Sequence, residues 1–92
     1  MKLALLVDEN ESIDNKLKSL SFSPEIISPY FKLLTKKTVG DYQFEGFEII
    51  PWTVNRKEEM QVMMEIGVNG IITDYPDILI ELLRTLKKSR ID

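Results

Sequence analysis

Asp8, Glu9 and Glu11 form an oxygen-ligand cluster early in the chain, and a hard cation such as Mg2+ or Ca2+ is the chemistry such a group can support. The run Asp8-Glu-Asn10-Glu-Ser12 begins like an EF-hand loop. It fails as one, because Ile13 stands where the sharp turn requires glycine and Ser19 where the bidentate glutamate belongs. A solvated acidic turn accounts for the cluster more simply. Lys32, Lys36 and Lys37, and separately Arg84, Lys87, Lys88 and Arg90, could attract a phosphate. Basic residues at these spacings also make ordinary solvated helix faces, and neither Gly-x-Gly-x-x-Gly nor a P-loop pattern accompanies them. Trp52, Thr53, Asn55, Thr73 and Asp74 follow or close apolar runs, positions where strand ends place pocket residues. The 92 residues include no histidine, the side chain most used for proton transfer near neutral pH. They include no cysteine either, which removes thiolate ligands, thiol nucleophiles and disulfides together.

The elements that must position these groups centre on residues 46–76. Two short apolar runs, 47–52 and 70–73, flank a segment with helical spacing, the pattern of a strand, a crossover helix and a parallel strand. Asn55 sits at the N-cap position with Glu58 three residues on, a pair that predicts a capping-box-like start. Met60, Met63 and Met64 share one face, and Gly67 stands where a left-handed residue ends a helix. Pro76 suits the first position of a further helix, and Asp77 the positive end of its dipole.

The rest of the chain repeats this alternation. Residues 3–7 form a continuous apolar run, which predicts a strand buried on both faces. Ser12 caps a short helix carrying Ile13, Leu17 and Leu20, and Ser21-Phe-Ser-Pro24 breaks it. Residues 25–28 predict a short strand, stopped before Pro29. Thr35 is the cap of a helix reaching Phe44, weakened by Gly40 in its interior and by Lys36 and Lys37 at the wrong end of the dipole. After Pro76, Ile78, Leu79, Leu82, Leu83 and Leu86 make an apolar stripe opposite Glu81, Arg84, Lys87 and Lys88.

Ile50-Pro-Trp-Thr-Val-Asn55 followed by Gly67-Val-Asn-Gly-Ile-Ile-Thr-Asp-Tyr-Pro76 closely resembles the end of the bacterial glycerophosphodiester phosphodiesterases, which are TIM barrels. Ser28-Pro-Tyr-Phe-Lys-Leu-Leu-Thr35 and Leu3 to Asp8 extend the resemblance over nearly the whole chain. It implies an α/β fold that is the C-terminal half of a TIM (β/α)8 barrel, about four parallel strands with alternating helices, in one partial-barrel domain over residues 1–92. The family hydrolyses glycerophosphodiesters to glycerol 3-phosphate and an alcohol. It uses two histidines as acid and base and a carboxylate-bound divalent metal, Mg or Ca, all from its N-terminal half. None of these maps onto this chain, so it is expected to have no catalytic or metal residues of its own and to be inactive alone. The resemblance places Trp52 by the substrate pocket, where it would pack against the glycerol moiety; the alternative is a tryptophan packed in the core. Asn55 and Asp74 have sufficient explanations as cap and turn residues.

A complete barrel needs about 250 residues. Four strands with helices on one side would leave the barrel-lining face open and two edges unpaired. The expected partners are therefore a second copy of the chain or a separate N-terminal barrel half. The net charge of −3 gives no reason to expect nucleic acid or an anionic membrane surface as a partner. The apolar run behind Lys2 is shorter than a secretory leader needs, which predicts a soluble cytoplasmic protein.

Overall fold

The structure, a computed structural model, describes residues 3–89, with side chains as far as Thr85. The side chains of Leu86, Lys87 and Lys88, and all of Arg90, lie outside the described residues, so the last part of the predicted apolar and basic stripes is not described. Three strands, β1 (Ala4–Val7), β2 (Ile26–Pro29) and β3 (Glu48–Ile49), form a parallel sheet in the order β1-β2-β3. The register sets Leu5 beside Ile27, Val7 beside Pro29 and Ile27 beside Ile49. Beyond β3 the same line continues: Trp52 pairs with Tyr30, its N–H donating to Pro29 O at 3.0 Å while its carbonyl accepts from Phe31 N–H at 3.0 Å.

The fourth predicted strand is present only in outline. Asn69 N–H donates to Ile49 O at 2.8 Å, Ile72 N–H to Pro51 O at 2.9 Å, and Val54 N–H to Ile72 O at 2.9 Å. Residues 69–72 thus run beside the β3 line without forming a regular strand, because Asn69 Oδ1 takes the Ile49 N–H at 2.8 Å, a bond that a ladder would give to a main-chain carbonyl. The expectation of about four strands becomes a three-stranded open sheet plus this hydrogen-bonded segment.

Burial corrects the reading of β1. Side chains alternate across a strand. Leu5 and Val7 are buried, with Ile27, Ile49, Val54 and Met60 in the same core, whereas Leu6 is 63% exposed. A continuous apolar run therefore serves one buried and one open face, since none of the described residues covers the second.

The helices, on the buried side, are α1 (Ile13–Ser19), α2 (Lys36–Phe44), α3 (Lys57–Glu65) and α4 (Pro76–Ser89), with a 3-10 turn at Phe31–Leu33. Ser12 Oγ accepts Asn15 N–H, as predicted for α1. Thr35 caps α2 through a reciprocal box with Thr38, and buried Val39 fixes the helix to the core, the tertiary support its weak sequence requires. At α3 the prediction fails: Arg56, not Asn55, is the cap, without a side-chain bond, so the proposed pairing of Asn55 with Glu58 is not the start of this helix. Asn55 is engaged elsewhere, as described below. Met60 and Met63 are buried and Met64 partly so.

Two glycines direct the chain back into the sheet. Gly46 and Gly67 have φ of 101° and 87°, a region costly for residues with a Cβ. Each follows a helix in the same way. Gly46 N–H bonds to Gln43 O and Phe47 N–H to Tyr42 O; Gly67 N–H bonds to Met64 O and Val68 N–H to Met63 O. These are Schellman endings, and the ring of Phe47 meets Tyr42 edge-on at 6.2 Å as the accompanying apolar contact.

Candidate functional site

Parallel strands all end at one rim, and in barrels of this kind that rim carries the chemistry. Here it borders an open cleft of about 460 Å3 lined by Leu6, Asp8, Glu11, Lys16, Trp52, Thr53 and Ile72. Trp52 is held from two sides. Its Nε1–H donates to Ser28 O at 3.0 Å, and its ring lies 5.5 Å from that of Tyr30 at 59°, a tilted aromatic pair. Ser28 is buried, and its hydroxyl donates to Ile50 O at 2.7 Å, joining the second strand to the line that carries the tryptophan. Trp52 is only partly buried, so it borders the cleft rather than sitting in the core.

Asn55, Thr73 and Asp74 form a neighbouring network. Asn55 Oδ1 accepts from Asp74 N–H at 2.9 Å and from the Thr73 hydroxyl at 3.2 Å, while Asn55 Nδ2 donates to Asp74 Oδ2 at 3.0 Å. The Thr73 hydroxyl also accepts Tyr75 N–H at 3.0 Å. These polar groups are spent tying residues 53–55 to the loop that opens α4. They fix the rim.

The acidic turn is engaged too. Glu11 Oε1 accepts from Asp8 N–H and from Lys16 Nζ, both at 2.9 Å, and Asp8 Oδ1 accepts Glu9 N–H at 2.8 Å. The Asp8 N–H, and next the Lys16 ammonium, hold the Glu11 carboxyl below its usual pKa. An ammonium already stands where a bound cation would need to approach Glu11, and no three acidic, histidine or cysteine side chains among the described residues are grouped to hold a metal. This donor set does not fit the divalent metal that the resemblance implies for the family.

Three of the basic residues whose side chains are described are engaged within their own segments. Lys32 lies over the Phe31 ring at 5.9 Å, Lys37 pairs with Asp41 at 2.8 Å within α2, and Arg84 with Glu81 at 3.6 Å within α4. Sequence reasoning missed Lys16, Ser28, Tyr30 and Asn69. Strand alternation beside Ile27 could have marked Ser28 and Tyr30 as sharing a face with Trp52. Asn69 had no local signal, since its partners, Ile49 N–H and Gln43 Nε2 at 3.0 Å, lie 20 and 26 residues away.

A parallel open sheet backed by alternating helices, with an aromatic-walled cleft at its carboxyl rim, is the class of a partial TIM-type barrel. The profile of the glycerophosphoryl diester phosphodiesterase family matches residues 3–78, and the chain belongs to that family. A glycerophosphodiester phosphodiesterase of Caldanaerobacter subterraneus is 41% identical over 58 residues, covering 63% of this chain and 24% of that protein. A crystal structure assigned as a glycerophosphoryl diester phosphodiesterase of Silicibacter pomeroyi superposes with a TM-score of 0.78 at 27% identity, covering 90% of this chain and 30% of its own. A phosphodiesterase of Oleispira antarctica, solved with sn-glycerol 3-phosphate, shares the fold at a TM-score of 0.73 and 16% identity, covering 88% of this chain and 32% of its own. The chain thus spans about a quarter to a third of the length of these relatives. No helix among the described residues is long and apolar enough to cross a membrane.

Proposed function

We propose that residues 1–92 act as one partial-barrel domain, the C-terminal part of a glycerophosphodiester phosphodiesterase, in which Trp52 forms the wall that packs against the glycerol moiety of the substrate. The observation that carries this reading is the tryptophan itself: an indole anchored by its N–H, braced by Tyr30, and bordering a cleft at the carboxyl rim. An apolar ring face suits the CH groups of glycerol, while diester cleavage needs metal polarisation and proton transfer to the leaving alkoxide. The sequence holds no histidine for that proton transfer. The acid, base and metal site would therefore come from the rest of the barrel on a separate N-terminal half, and this chain alone is inactive. A cytoplasmic setting belongs to the same proposal.

A second reading, a non-catalytic half-barrel that self-associates, is favoured by the exposed Leu6 and Ile72 on the open face, at 63% and 45%. Two experiments test the first reading. Assayed with a glycerophosphodiester and Mg2+ or Ca2+, the purified chain should show no turnover; metal-dependent turnover lost in Trp52→Ala would contradict it. Exchanged for the matching segment of the Caldanaerobacter relative, the chain should support diesterase activity, with Trp52→Ala raising KM. An active chimera indifferent to that substitution removes Trp52 from the substrate wall.

A further inference from the structure

Alternate residues of a parallel strand bond to opposite sides. In β1, Leu3 O accepts Ile26 N–H at 3.1 Å and Val7 O accepts Tyr30 N–H at 2.8 Å, both from the β2 side. The Leu6 carbonyl between them therefore points to the open edge of the sheet. It is occupied by a side chain: Lys16, on α1, donates its Nζ to Leu6 O at 2.8 Å and to Glu11 Oε1 at 2.9 Å. Glu11 is in turn fixed by the Asp8 N–H, so the ammonium is held over the edge by a braced carboxylate. As a partly exposed ion pair this contact adds little to stability, but a lysine laid along an edge strand is an established means of blocking strand addition.

The far edge has the same polarity. Ile72 N–H and O face the β3 line, through Pro51 O and Val54 N–H, which turns the main-chain groups of Ile71 and Thr73 outward. One chain thus carries two outward edges that run parallel. A second copy turned about the axis of the curved sheet would lay its residues 69–73 along β1, the pairing by which a barrel closes without edges. The exposed Leu6 and Ile72 would be covered in the process.

We propose that Lys16 guards this edge: its ammonium occupies the Leu6 carbonyl against which residues 69–73 of a second copy of the chain would pair, so that self-association must first displace it. The proposal rests on the self-associating reading above and adds the residue that limits it.

Sedimentation velocity across a concentration series, on wild type, Lys16→Met, Lys16→Arg and Glu11→Gln, tests it. Methionine keeps the aliphatic stem and helix propensity while removing the ammonium. Lys16→Met should self-associate roughly three- to tenfold more tightly than wild type, the worth of one exchanged hydrogen bond. Glu11→Gln should show a smaller increase and Lys16→Arg none. Amide exchange on the assembled Lys16→Met should show new protection at Leu6 and in residues 69–73. Equal association of wild type and Lys16→Met overturns the guard alone. A uniformly monomeric set overturns the self-association beneath it, and protection confined to β1 overturns the partner segment. If Lys16→Met fails to fold by circular dichroism, Glu11→Gln decides, and association no tighter than wild type overturns the proposal.

Discussion

The two faces of the sheet are built from the same kinds of residue and have opposite fates. Toward the helices, Val7, Ile27, Ile49, Val54 and Met60 are fully buried; on the other side, Leu6 and Ile72 are 63% and 45% exposed. Sequence neighbours divide between the two, Leu6 from Val7 and Ile50 from Ile49. Hydrophobic character alone therefore does not make a core in this chain: the helices do, by covering one side. The open side is what a barrel fills with the layers of its remaining strands. Its carboxyl rim is also where Trp52 borders the cleft, so the proposed substrate contact and the proposed self-association both fall on the surface least used for stability.

Substitutions should follow that division. Met60→Ala empties a fully buried site between α3 and the sheet and should cost about 2–5 kcal/mol, read by urea unfolding; a cost as small as that of a surface change would break the comparison. Asn69→Ala removes the acceptor of Ile49 N–H and Gln43 Nε2 and should cost about 1–3 kcal/mol by leaving a main-chain donor unsatisfied.

Tyr42→Phe sharpens the outer side. The Tyr42 hydroxyl donates to Asp14, linking α2 to α1, and its loss should cost about 1 kcal/mol. Burial first, and Asp14 next, push the Tyr42 hydroxyl above its usual range. Its contribution is then fully present below the unfolded value of about 10 and declines as pH rises beyond that, because the unfolded chain ionises first. Thermal melts in alkali should accordingly fall more steeply for wild type than for Tyr42→Phe. Leu6→Ala, on the open face, should change stability by no more than about 0.5 kcal/mol.

Much of this fold could be read from local signals. Ser12, Thr35, Gly67 and Pro76 act within a turn of the helix they start or stop, and each stands where its chemistry places it. What failed depended on partners distant in sequence. Asn55 has the chemistry of a cap, but Thr73 and Asp74, 18 and 19 residues on, take its side chain instead. The run at residues 3–7 predicts double burial because an apolar residue does not report whether a covering layer exists. Trp52 was legible as a rim residue from its place after residues 47–51, whereas the Lys16 contact with Leu6 O was not, since a helix-surface lysine looks alike whether solvated or laid on an edge.

The most direct test uses the absence of cysteine from the sequence, which makes any introduced thiol unique. Leu6→Cys and Val7→Cys place one on each face of the same strand, and their rates of reaction with a small disulfide reagent can be compared in the folded state at low protein concentration. Cys at position 6 should react nearly as fast as in the unfolded chain, while Cys at position 7 should wait for unfolding. Equal protection at both positions would show the inner face covered by the chain itself, and the open partial barrel would be wrong.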